Sequence, residues 1–195
     1  FEIAVDDGSF ETATGPSTAN TSYRVNRLTP TSYPATLSGA AIYFSSVGGV
    51  KVGDDFTLLA GTNADGDTNI NGTAFQMVTG VKVSSLDEFS FYQLTTPITI
   101  TTGDFVVGFR MAVADNVRAT ALDTTAPAQK RSYRSDDGVT FTLHDSLSGA
   151  TPGNYGIRAQ LVRPTRLLVK GGATLTAESC VPANGAIDPG ETVTV

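Results

Sequence analysis

Apolar and polar residues alternate along much of this chain, most clearly from Tyr155 to Leu161. There Tyr155, Ile157, Ala159 and Leu161 share one face, with Arg158 and Gln160 on the other, which is the period of two of a half-buried strand. Asp104 to Val113 repeats the pattern, with Phe105, Val107, Phe109 and Met111 on one face and Arg110 opposite. The same reading predicts strands at Tyr23 to Leu28, Leu37 to Phe44, Phe56 to Ala60, Phe75 to Val83, Phe89 to Leu94, Ile98 to Thr102, Arg131 to Ser135 and Val139 to Leu143. Turn-forming pairs such as Asp7-Gly8, Gly48-Gly49, Asn71-Gly72 and Asp137-Gly138 punctuate them. No window of a dozen residues carries a 3.6-residue period. Short, regularly spaced strands without helices predict an all-β fold, a jelly-roll-like antiparallel β-sandwich of about eight strands.

The pattern changes near Val162-Arg163-Pro164-Thr165. Pro164 cannot donate to a ladder and follows the last strong strand, so the first module is read as residues 1–163. Residues 164–195 contain Leu167 to Lys170, a Gly171-Gly172 break and a strand candidate at Ala173 to Ala177. They are too few to bury a core unaided. They are read as an incomplete second β module: either its partner strands were cut away, or it docks on the first module, or it pairs with another chain.

Composition narrows the partners. Of 195 residues, 40% are hydrophobic, enough for a core, and only 16% are charged. The formal net charge is −6 and the arginines are scattered, several at alternating strand positions that would face solvent. Nucleic acid and anionic membrane surfaces, which need clustered Lys and Arg, are therefore poor partners. The single cysteine, Cys180, allows no internal disulfide. Apolar runs such as Phe105 to Phe109 are too short for a membrane-spanning helix, so no membrane insertion is expected. No export signal stands at Phe1, and the secreted reading places one upstream or already removed.

Four stretches carry two resemblances. Asp6 to Glu11, Val25-Asn26-Arg27-Leu28-Thr29-Pro30-Thr31-Ser32-Tyr33-Pro34-Ala35-Thr36-Leu37 and Thr102 to Phe109 together resemble an accessory β-sandwich module of large secreted or surface-anchored bacterial proteins, some with subtilisin-like peptidase domains. That resemblance spans about residues 4 to 162. Ser179-Cys180-Val181-Pro182-Ala183-Asn184-Gly185-Ala186-Ile187-Asp188-Pro189-Gly190-Glu191 and the residues to Val195 resemble the opening of an immunoglobulin-like extracellular repeat module. On that likeness, 164–195 is a linker plus the first strands of such a module, cut short. The resemblance implies a modular extracellular protein and transfers no catalytic residue.

The best site candidate is the stretch Asn63-Ala64-Asp65-Gly66-Asp67-Thr68-Asn69-Ile70-Asn71-Gly72. Asn63, Asp65, Asp67, Asn69 and Asn71 place a side-chain oxygen at every second position, a spacing that can wrap one calcium ion. It also matches the first half of an EF-hand loop, but the twelfth position is Val78 where a bidentate Glu is required. The competing and stronger reading is a polar connecting loop, because Asn, Asp and Gly dominate turns. The adjacent carboxylates Asp6-Asp7, Asp54-Asp55, Asp87-Glu88 and Asp136-Asp137 read as turn and strand-end residues, since neighbours on a strand point to opposite faces. Ser135 to Phe141 resembles a single Asp-box hairpin and reads as a local turn. His144, the only histidine, lies next to Asp145 and Ser146, but no nucleophile elbow accompanies it. Tyr23, Tyr33, Tyr43, Tyr92, Tyr133 and Tyr155 offer rings to a sugar, although most fall within strands and there is no Trp.

These readings describe a non-catalytic extracellular structural, adhesive or assembly module of a larger secreted bacterial protein. The alternative is a carbohydrate-binding accessory module, assisted by calcium. The expected partners are other modules of the same protein or neighbouring subunits. They would be reached by β-strand addition through Glu191, Thr192, Val193, Thr194 and Val195, which alternate as a strand should.

Overall fold

A computed structural model describes residues 1–162, 177–179 and 193–194. The chain divides into two compact units, Phe1–Arg163 and Pro164–Val195.

The first unit is a β-sandwich. One sheet is formed by β1 (Glu2–Ile3), β4 (Ala35–Tyr43), β7 (Phe89–Ile100) and β13 (Ile157–Leu161), in the order β1-β13-β4-β7. The facing sheet is formed by β3 (Asn20–Leu28), β5 (Asp55–Asn63), β6 (Gln76–Lys82), β8 (Asp104–Val113), β10 (Ser132–Ser135) and β11 (Thr142–Leu143), in the order β11-β10-β3-β8-β5-β6. Set aside the β10-β11 extension and count the other eight strands along the chain. One sheet then reads first-eighth-third-sixth and the other second-seventh-fourth-fifth. That is two Greek keys wound into a jelly roll. Every pairing is antiparallel, so the expected fold class is the observed one. A small sheet at one end joins β2 (Thr12–Thr14), β9 (Thr120–Asp123) and β12 (Asn154–Tyr155), in the order β12-β9-β2.

The core sits between the two large sheets. Leu37, Ile42, Ile157 and Leu161 from one meet Leu28, Leu58, Phe105 and Phe109 from the other, each at 3% exposure or less. A second, smaller cluster lies on the outer face of the larger sheet, where Ile70 and Phe141 cover Val25, Leu59, Val106 and Tyr133. Loops thus seal a sheet face that would otherwise stay wet.

Three departures from the sequence reading change how strands are joined. Phe89 to Leu94 and Ile98 to Thr102 belong to one long strand, β7, whose pairing with β4 shifts register between Leu37 and Gly39. Val139 to Phe141 turn the hairpin, so only Thr142 and Leu143 pair with β10. Tyr155 to Leu161 is two strands: at Gly156 the chain leaves the small sheet for the four-stranded one, its N–H on Ala121 and its carbonyl on Tyr43. A Cβ on Gly156 would stand 2.9 Å from the Phe10 ring, so the crossing suits glycine.

In the second unit, β14 (Ala177–Glu178) pairs antiparallel with β15 (Val193–Thr194). The remainder of the expected linker and immunoglobulin-like opening, with Cys180, Glu191, Thr192 and Val195, lies outside the described residues.

Candidate functional site

Asn63, Asp65, Asp67, Asn69 and Asn71 all lie on the stretch that ends β5 and leads away from it. Their side chains serve the loop in series. Asn63 Nδ2 donates to the Asp67 carbonyl at 2.9 Å. The Asp65, Asp67 and Asn69 Oδ1 atoms accept the N–H groups of Asp67, Asn69 and Asn71 at 3.3, 2.7 and 3.1 Å. The Asn71 Oδ1 reaches across to the Phe141 N–H at 2.6 Å. The two-residue spacing is therefore a run of Asx turns. It holds Ile70, 1% exposed, in the outer cluster. Tyr133 and Arg27 fasten the loop further, on the Thr68 and Gly66 carbonyls at 2.9 and 3.1 Å. Among the described residues, no three His, Cys, Asp or Glu side chains converge as a metal site would require.

The adjacent carboxylates serve local structure. Asp6 is paired with Arg158 at 2.5 Å, and Asp7 Oδ1 accepts the Ser9 N–H at 2.9 Å. Asp54 accepts the Lys51 N–H at 2.8 Å, Asp55 pairs with Lys82 at 2.7 Å, and Asp87 accepts the Ser46 N–H at 3.0 Å. Asp137 accepts the Thr140 and Val139 N–H groups, both at 2.8 Å, and the Ser135 hydroxyl. Those donors favour its charged form and hold its pKa at about 2. Of the tyrosines, Tyr92, Tyr133 and Tyr155 are buried, and Tyr33 is 44% exposed with its hydroxyl on the Gly103 carbonyl. Burial pushes the Tyr155 phenol up to about 12, so it stays neutral.

A different place gathers unsatisfied charge. On β3 the inward face reads Ser22, Arg24, Asn26, Leu28, so an arginine stands where a core residue would be expected. Arg24 is 2% exposed. Its Nη1 donates to the Tyr23 carbonyl at 2.9 Å, while its Nε is buried with no partner among the described residues. Across the ladder β10 places Arg134 directly opposite. Arg134 is ion-paired with Asp136, which also accepts Asn20 Nδ2 at 3.2 Å. Arg24 has no carboxylate partner among the described residues. Burial lowers its pKa below the usual guanidinium value, with Arg134 adding to that and Tyr155 and the charge of Asp136 opposing it, but a guanidinium remains a cation at any physiological pH.

These two arginines lie at the wall of a cleft of about 560 Å³ at the end of the sandwich. The segment Thr12–Thr18 forms one side and the loop His144–Thr151 another, with Arg118 at the mouth. Arg118 is exposed, and its main-chain N–H is anchored on the Gly48 carbonyl at 2.7 Å. His144 is 2% exposed and packs on Tyr155 with ring centroids 5.1 Å apart. Its Nε2 lies 3.0 Å from the Thr151 carbonyl, which fixes the proton of the neutral ring on Nε2. Burial holds the His144 pKa below 6.5, and Arg24 and Arg134 add to that effect.

The expectation that the arginines face solvent is thus corrected at Arg24 and Arg27, which are 2% and 5% exposed. Arg27 reaches Asp104, itself 4% exposed and held by Arg131 at 2.8 Å and the Thr29 hydroxyl at 2.6 Å. The signal for Arg24 was its alternation with Asn26 and Leu28 on one strand face, which only the pairing with β10 turns into a site. Comparison with protein-family models, curated proteins and solved structures finds no match for this chain.

Proposed function

We propose that this chain is a non-catalytic structural or adhesive module of a larger secreted bacterial protein. What supports the reading is the way β1 pairs with β13. Glu2 lies opposite Gln160, so the first and last strands of the sandwich pair side by side in one sheet, and the chain runs on past Arg163 into a second unit. Much of its polar chemistry is spent on its own backbone and ion pairs. Asp6, Asp7, Asp54, Asp55, Asp87, Asp136 and Asp137 cap turns or pair with cations, and the only histidine donates to a main-chain carbonyl. A general acid–base pair needs free groups facing one substrate.

Partners in this reading are other modules or neighbouring subunits. The strand-addition proposal for Glu191 to Val195 keeps its interest because Val193–Thr194 is a strand. Deleting residues 1–163 from the parent protein tests the reading. Adhesion or assembly of the secreted protein should fall, and the purified module should turn over no substrate. Retained adhesion and assembly, or turnover by the module, would overturn it. Deleting 186–195 should abolish any oligomer formed through the strand.

The rival reading is a glycan-binding accessory module, assisted by calcium. One observation favours its glycan half: the end cleft is rimmed by Ser and Thr hydroxyls and lined by three arginines against one carboxylate.

A further inference from the structure

We propose that the end cleft binds an acidic sugar, seating the sugar's carboxylate or sulfate oxyanion between Arg24 and Arg134. The inference deepens the adhesive reading by naming what the module would hold.

The argument begins with charge. Like charges directly opposite on an antiparallel ladder destabilise the sheet, and Arg24 and Arg134 are such a pair. Asp136 serves Arg134 and Asn20, which leaves Arg24 with a carbonyl as its only hydrogen-bond partner among the described residues. A buried cation without a counter-charge is costly, and so is a buried N–H without an acceptor. Arg24 Nε is such an N–H. Arg118 adds a third cation at the mouth, and Asp136 is the only carboxylate among the lining residues. The cleft is therefore locally positive in a chain of net charge −6.

The chemistry of the walls selects the kind of anion. A guanidinium presents a planar fork that matches carboxylate and sulfate oxygens in pairs. Thr14, Thr18 and Ser148 add hydroxyls that give and accept hydrogen bonds, and Leu122 and Leu147 provide apolar surface for a ring face. Sugars with an acidic group combine these needs. The volume of about 560 Å³ lies within the range of small-molecule sites, roughly 300–1,000 Å³.

Calorimetry on residues 1–195 with three probes tests this: an oligogalacturonate, a sulfated disaccharide and a neutral oligogalactoside. One or both acidic probes should bind, and the neutral one at least about tenfold more weakly, the size of a lost charge-assisted hydrogen bond. Which acidic probe binds tells carboxylate from sulfate. Arg24→Lys should weaken binding by about tenfold or more, since Lys cannot reproduce the fork. Should that variant not fold, Arg134→Gln and Arg118→Gln probe the same site from its rim and should each weaken binding and flatten its salt dependence. No binding by either acidic probe at millimolar concentration would overturn the site. So would equal binding of the neutral probe, or affinity that Arg134→Gln and Arg118→Gln leave unchanged. Adhesion by the parent protein alongside such a result would retire the site and leave the module's proposed role standing.

Discussion

Asn26 donates through Nδ2 to the main-chain carbonyl of Tyr155 at 3.1 Å, from a position with no solvent exposure. The same nitrogen reaches the Ile157 carbonyl at 2.8 Å, and the Asn26 Oδ1 accepts the Ser132 hydroxyl at 2.8 Å. That hydroxyl oxygen in turn accepts the Tyr155 N–H at 3.0 Å. One amide therefore ties β3 to the chain on either side of Gly156, where the strand changes sheets. Asn26→Ala should leave two carbonyls and a hydroxyl short of partners in the core. The expected loss is about 2–4 kcal/mol, the sum of a few buried hydrogen bonds. For a domain of this size that corresponds to a fall in Tm on the order of 10 °C. Thermal unfolding followed by circular dichroism checks it, and a fall under a few degrees would mean that the network contributes little.

Asp104 is the shared acceptor of Arg27, Arg131 and Thr29. Asp104→Asn keeps the shape and removes the charge, leaving the Arg27 cation buried. The expected cost is about 3–5 kcal/mol, as for breaking a buried pair from one side. The double variant Arg27→Met, Asp104→Leu should cost less than Asp104→Asn alone, because no unpaired charge remains. Urea unfolding with an unchanged slope and a lowered midpoint is the readout. A double variant that costs as much as Asp104→Asn would show that packing, not charge, sets the effect.

Strand positions with clean alternation were legible from the residues alone. Phe105, Val107, Phe109 and Met111 face the core because a period of two admits only that arrangement once one face is buried. What the period could not show is which face of β3 turns inward. Tyr23 and Val25 supply the apolar side, yet they lie outward beneath the Ile70 loop, and Arg24 and Asn26 turn in. The second cluster arises from contacts between residues far apart in sequence, as Ile70 and Phe141 do, and local patterning holds no trace of them. β1, β2 and β9 were missed for a similar reason: at two to four residues they are too short to show a period.

The Asn63-to-Asn71 loop offers a direct choice between cation and turn. Its side-chain oxygens already accept backbone N–H groups, and Ile70 anchors it. Ile70→Ala should cost about 2–4 kcal/mol through the cavity left in the outer cluster. Calcium added to millimolar levels and then chelated should leave the Tm of the unmodified chain where it was. A ligand bound only to the folded state raises Tm with its concentration. A calcium-dependent rise that Asp65→Asn and Asp67→Asn abolish would make the loop a cation site instead.

His144 sets a pH window of its own. Burial first, then the charges of Arg24 and Arg134, hold its folded pKa below 6.5, against the opposing pull of the Thr151 carbonyl and Asp145. The unfolded chain thus takes up the proton before the folded one does. Stability is whole above about pH 6.5 and declines as pH falls from there toward the folded value. The carboxylates held below 3.8 or 4.5, such as Asp7, Glu11 and Asp87, lose their contribution only at lower pH, so the two windows separate. Urea midpoints at pH 7.5 and 5.5 should differ for the unmodified chain and differ less for His144→Gln, whose amide can still donate to Thr151. An oxyanion between Arg24 and Arg134 would oppose the charges that suppress protonation of His144. Saturating acidic sugar should then shrink the loss between pH 7.5 and 5.5, while the neutral sugar leaves it unchanged. Equal losses with and without the acidic sugar would uncouple the histidine from the cleft.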